Sequence, residues 1–288
     1  MAMPSDIPII DTMIGFPKPD FSTYDFIRSQ TKDAQSSEEF DFPVEYMFKG
    51  VPKELYGTDD DPVQVTLKEM DRFNIELALV SCEDDSGQRA LKDYPERFIP
   101  SMSVDPNDVM GEVRRIDQLH QEWGVKAVGA FPAGCFPQVP IDDAKFYPIY
   151  AKCVELDLPM FVCAGVPGPR FPFSPQHVER IDRVMYDFPE LTFVTRHGCE
   201  PWEDLAVKLM LKWPGLHYST SAFAPKHYPE AIIRYANTRG AEKVIYAGYF
   251  PMGLSLERIM TDMKDVPFRD KVWPSFLREN ARRVLKLD

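Results

Sequence analysis

The sequence predicts a closed (β/α)8 barrel, a TIM barrel of the α/β class, on three observations. Eight short apolar runs rich in Val, Ile and Phe recur along the chain. Helix-patterned stretches separate nearly all of them, the alternation expected of a parallel sheet closed on itself. The 288 residues suffice for one barrel, for which ~250 is typical. No Gly-x-Gly-x-x-Gly and no P-loop follows the first run, which disfavours an open nucleotide-binding sheet. Residues 1–288 therefore read as a single domain.

In order, the first strand is Ile7-Pro8-Ile9-Ile10-Asp11. Residues 18–61 follow, polar but interrupted by aromatics. That is long for a loop inside a compact domain, so the stretch reads as a lid-like insertion with short helices of its own. Phe42, Tyr46, Met47 and Phe48 are placed to tack it onto the barrel, as a lid or as the contact of a homodimer. Regular alternation begins at Pro62. Helices are expected over 63–73, 88–94, 108–123, 142–156, 174–188, from 202, and over 229–238. The strands between them are expected at 75–80, 98–104, 125–131, 160–165, from 191, at 216–221 and at 243–249. The 174–188 helix is placed by Ser174-Pro175, because serine caps and proline suits the first turn. Closing helices are expected over 256–264 and 270–287.

A formal charge of −12 argues against nucleic-acid partners and against an anionic membrane surface. It leaves room for an anionic substrate, because one local arginine can dominate a site. No basic-then-apolar leader is visible, and no apolar run approaches the ~18 residues of a membrane span. Five cysteines without a close pair fit reduced thiols in the cytoplasm.

The catalytic expectation centres on residues 191–202. The run Phe193-Val194-Thr195 ends in Arg196-His197-Gly198, and Pro201-Trp202 opens a helix with Glu203 and Asp204 in its first turn. A histidine at the carboxyl end of a barrel strand occupies a common active-site position. The competing reading is a core histidine with a satisfied hydrogen bond. Other strand ends deliver Asp11, Glu83, Asp105, Cys163, Ser219, Ser221 and Tyr249.

These stretches together resemble the amidohydrolase-related proteins, in the branch that includes aminocarboxymuconate semialdehyde decarboxylase. The resemblance is carried by Ile9-Ile10-Asp11, Val194-Thr195-Arg196-His197-Gly198 with Pro201-Trp202, Lys243 through Met252, and Glu279-Asn280-Ala281-Arg282-Arg283-Val284-Leu285. It implies the barrel of metal-dependent hydrolases, with Asp-x-His-x-His closing the first strand and further ligands on strands five, six and eight. Here Met13 and Gly15 stand at the two first-strand histidines, Cys163 at the strand-five histidine and Tyr249 at the strand-eight aspartate. Only the strand-six histidine remains, as His197. A tight metal site normally needs at least three suitable ligands, so neither a metal nor another cofactor is expected.

Without a metal, proton transfer falls to His197, whose ordinary pKa lies near neutrality. Arg170 and Arg196 are candidate anion clamps, although strict alternation from His197 turns Arg196 away from the lumen unless the strand has already ended. Cys163, on the neighbouring strand, is a candidate nucleophile in a dyad with His197. Tyr249, Ser219, Ser221 and Glu83 are candidate substrate contacts. The expected function is metal-independent hydrolysis of a small organic acid, lactone, ester or amide. Decarboxylation is the first alternative, and a non-catalytic ligand- or partner-binding relative the second.

Overall fold

The computed structural model describes residues 3–48 and 50–287. Eight strands form one parallel sheet in chain order: β1 Ile9–Asp11, β2 Ile75–Ser81, β3 Phe98–Val104, β4 Ala127–Ala130, β5 Met160–Cys163, β6 Phe193–Arg196, β7 Leu216–Ser219 and β8 Val244–Ile245. The sheet curls shut where Ile14 bridges Phe250 in parallel and the Gly15 amide donates to the Phe250 carbonyl at 2.8 Å. The predicted (β/α)8 barrel is thus the observed fold.

Alternation sorts the strand residues into two cores. Ile9, Met160, Phe193 and Tyr218 pack outward against the helices. Ile10, Leu79, Ile99, Phe161, Val194 and Ile245 meet inside the barrel, together with Ala281, Val284 and Leu285 of the closing helix Asn280–Leu285. That helix covers the amino-terminal mouth: Lys286 pairs with Asp157 just before β5, and Arg283 donates to the Glu242 carbonyl just before β8. The carboxyl mouth is left for the site.

Capping explains several boundaries. Asp61 accepts from the Val63 amide at 2.9 Å and starts the helix Pro62–Arg72, with proline at its first position. Ser255 does the same for Leu256–Met263. The helix Glu203–Lys212 begins beside Trp202 with both expected carboxylates in its first turn.

Three expectations change. Residues 174–176 form only a single 3-10 turn, and the helix is Arg180–Asp187. His177 is extended between them, and the Gln176 amide is drawn inward to the Gly165 carbonyl at 2.9 Å. The last strand stops at Ile245 because the amides of Tyr246, Ala247 and Gly248 donate to the Phe276 carbonyl, Thr220 Oγ1 and Asp11 Oδ1 instead of to a ladder. The final helical stretch is broken into short pieces around Pro274. Residues 18–61, apart from Lys49, which lies outside the described residues, contain only short helical turns.

Candidate active site

The carboxyl mouth opens into a cavity of about 920 Å³. Its floor holds Ser103, Cys163, Arg196, His197 and Tyr249, and its walls are mainly apolar, with Phe131, Phe223 and Met252 among them. The 18–61 segment closes one side with Tyr24, Phe26, Phe42, Met47 and Phe48. Tyr46 donates to the Gly168 carbonyl at 2.5 Å, so the four residues expected to tack this segment down all touch the mouth or its rim.

His197 reaches the cavity by leaving strand geometry. Val194 points into the lumen and Thr195 away from it, so regular alternation would send residue 197 outward. His197 instead takes φ 64°, followed by Gly198 at 87° and Cys199 at 62°. Gly198 is required there on two counts, the positive φ and the Phe223 ring, which would lie 2.3 Å from any Cβ. Such consecutive left-handed residues are costly and cluster at functional sites. The Ser221 hydroxyl fixes the turn, accepting from the His197 amide at 3.1 Å while lying 3.2 Å from Nδ1. Nε2 has no protein partner among the described residues and is left for the cavity. Burial, then the Arg196 guanidinium, pushes the imidazole down to about 4, so it is neutral at pH 7.

The same alternation corrects the expectation for Arg196. It shares a face with Val194 and enters the lumen, its guanidinium carbon 5.2 Å from the Phe161 ring centroid. The misplaced reference was His197, whose direction is set by φ rather than by the pleat. No carboxylate or carbonyl among the described residues accepts from Arg196, and its Nε is buried without a partner. Burial pulls its pKa below the usual guanidinium range.

The expected Cys163–His197 dyad does not form. Strand register sets Cys163 beside Arg196, one residue short of His197, and the Nδ1 partner of the imidazole is Ser221. Burial pushes the Cys163 thiol up to about 12, so it stays protonated and is a poor nucleophile. Ser219 and Ser221 are not substrate contacts either. They lie 3.3 Å apart, buried behind His197, and position it.

Two more expected contacts are committed elsewhere. Glu83 pairs with Arg115 and accepts from the Ser103 amide at 2.7 Å, off the cavity. Arg170 pairs with Asp33, donates to Gln35 at 3.1 Å and lies over Tyr46, 4.7 Å from its centroid. It fastens the 18–61 segment to the loop after β5. Tyr249 does face the cavity, edge-on to His197 at 5.5 Å, and burial raises its phenol far above the ordinary value.

Ser103, Asp105 and Gly129 are strand-end residues that the sequence already delivers to the carboxyl face. Gly129 is the informative one, because a Cβ there would lie 2.9 Å from Arg196 Nη1. Its signal was a glycine on the lumen face of a strand, which marks a close approach. Asp11 was noted as a strand end. Its carboxyl is buried, accepts from the Met13 and Gly248 amides at 2.9 Å each, and is pushed up to about 7 by that burial.

Among the described residues, no three His, Cys, Asp or Glu side chains converge as metal ligands. Met13, Cys163, His197 and Tyr249 all border the cavity, but the thiol is protonated and a guanidinium lies beside it. This donor set does not fit a divalent cation.

The sequence pattern of the amidohydrolase family matches residues 37–287. The fold is similar to an uncharacterized TIM-barrel protein, Bb4693, from Bordetella bronchiseptica, at 22% identity and a TM-score of 0.72 over 96% of this chain and 98% of that one. It is also similar to 5-carboxyvanillate decarboxylase from Novosphingobium aromaticivorans, complexed with manganese and 4-hydroxy-3-methoxy-5-nitrobenzoic acid, at 18% identity and TM-score 0.69 over 98% and 97%. A third is 2,6-dihydroxybenzoate decarboxylase from Rhizobium, at 14% identity and TM-score 0.68 over 98% and 99%. These identities establish a shared fold. No protein of curated function matches the sequence.

Proposed function

The chain belongs to the amidohydrolase family, and from that premise we propose that it is a metal-independent enzyme acting on a small, largely apolar organic acid. The favoured reaction is decarboxylation, with His197 moving the proton. The observation that carries this reading is the convergence of His197 Nε2, the Tyr249 phenol and the Arg196 guanidinium on one mostly apolar cavity.

Two considerations favour decarboxylation over hydrolysis. Hydrolysis at neutral pH needs an activated water, and an imidazole held near 4 is a weak base for making one. Loss of carbon dioxide needs no water. The bond to the carboxyl carbon breaks, its electron pair stays on the substrate carbon, and a proton replaces the departing group. An anionic substrate offsets the Arg196 charge, which makes His197 easier to protonate from solvent and able to deliver that proton. The two decarboxylases with the same barrel support this order. Hydrolysis of a lactone, ester or amide is the second reading, supported by the phenolic O–H and guanidinium N–H groups, which suit an oxyanion.

Residues 1–288 act in this reading as one domain, with 18–61 as its lid. The five free cysteines fit the reducing cytoplasm.

The test is a panel of hydroxybenzoates, lactones and esters, read by product analysis and released carbon dioxide. His197→Asn is expected to lower turnover by roughly two to four powers of ten, the scale of positioned proton transfer. Wild-type turnover in that variant would contradict the mechanism. A tight thermal-shift ligand with no turnover would replace the enzyme by a binding protein.

A further inference from the structure

We propose that Arg196 is the cation on the floor of the cavity and that it takes the carboxylate of a planar, largely apolar monocarboxylic acid. The inference deepens the reading above and rests on it for treating the cavity as the active site.

Three independent features point to an anion at this guanidinium. First, no carboxylate pairs with it among the described residues. Asp105 and Glu200 line the same cavity, but neither accepts from the guanidinium, and its Nε is buried without a partner. A buried charge normally keeps a partner, because desolvation without one is costly. An arginine left this way on a cavity floor is completed by a ligand.

Second, the barrel makes room for it. Gly129 on β4 has no side chain where a Cβ would lie 2.9 Å from Nη1. Alternation puts residue 129 on the lumen face, so the notch receives the guanidinium. Third, the guanidinium lies over the Phe161 ring, in the lumen core, which fixes its position from below. Nη1 and Nη2 donate to no protein acceptor among the described residues and remain free for a bidentate contact.

The ligand class follows from shape and charge. A guanidinium fork matches the two oxygens of a carboxylate. Lys226 and Arg258 also line the cavity and are balanced by Asp105 and Glu200, so Arg196 leaves one formal positive charge in excess, which suits a monoanion better than a phosphate dianion. The Tyr249 hydroxyl offers a further donor, and the rings of Phe131 and Phe223 are apolar walls for a flat body. The remaining cavity volume accommodates ring substituents.

Calorimetry on the full chain tests this with benzoate, neutral benzamide and inorganic phosphate as probes. Benzoate is expected to bind, with benzamide at least about tenfold weaker, since a charge-assisted contact is lost. Arg196→Met is expected to weaken benzoate by about a hundredfold. The same variant should melt no lower than wild type, because it removes an unpartnered buried charge. Gly129→Ala should weaken benzoate while retaining the charge, because its methyl group displaces Nη1.

Equal affinity for benzoate and benzamide, no benzoate binding by wild type, or undiminished benzoate binding in Arg196→Met would overturn the proposal. Tighter binding of phosphate than benzoate would overturn the carboxylate class. A clearly lower melting temperature in Arg196→Met would mark a structural guanidinium and overturn it too. Arg196-dependent benzoate binding in a protein without turnover would remove the enzyme reading alone. Turnover unaffected by Arg196→Met would remove this inference alone.

Discussion

At the scale of single residues, buried titratable groups are the most informative. Asp11 has a folded pKa of about 7 against an ordinary 3.8. Between those values the folded state holds more protons than the unfolded chain, so stability falls as pH rises through the window. Above it the full cost applies, on the order of 4 kcal/mol if the whole shift is expressed. Asp11→Asn keeps an oxygen for the Met13 and Gly248 amides and removes the charge. It is expected to raise the melting temperature more at pH 8 than at pH 5; equal shifts at both would contradict the burial argument. His197 acts with the opposite sign. Its folded pKa lies below the ordinary 6.5, so its contribution to stability is lost as pH falls from about 6.5 toward 4. That contribution is common to both proteins and cancels in the comparison. The place of His197 at the mouth was legible, because strand ends deliver side chains there. Its lumen direction was expected too, but φ at this residue rather than the pleat sets it, so alternation counted from it misplaced Arg196. The absent Cys163 dyad has a similar origin, since register between β5 and β6 decides which neighbours meet.

At the scale of elements, the 18–61 segment shows what pattern can and cannot supply. Aromatics in a long polar stretch signalled docking, and Phe42, Met47 and Phe48 do border the cavity. The latch was not visible, because Arg170, Asp33 and Tyr46 are separated in sequence and meet only in the fold. Exposed ion pairs contribute about 0–1 kcal/mol, so Arg170→Met should hardly change global stability. Locally it should speed hydrogen exchange across 18–61 and raise the KM of any substrate. Unchanged exchange in that segment would mean that the latch does not hold it. The Ser174 turn shows the limit of capping signals: serine followed by proline began a turn, but an extended His177 stopped it becoming a helix. Strand β8 was overextended because Tyr246–Gly248 donate to side chains and a distant carbonyl, which hydropathy does not register.

At the scale of the whole molecule, a barrel with one mouth covered by Asn280–Leu285 and the other open to a cavity was readable from the alternation of strands and helices. Its chemistry was readable chiefly as substitutions at the positions where the resemblance implied metal ligands. The replacement charge required the three-dimensional structure, because a lumen arginine over Phe161 beside Gly129 combines residues from three strands. Under the proposed function this site works without a divalent ion. Elemental analysis of protein purified and dialysed without chelator tests it directly, and needs no substrate. No stoichiometric zinc, manganese or iron is the expected result; about one such ion per chain, set against the full ligand complement that normally holds it, would contradict the claim.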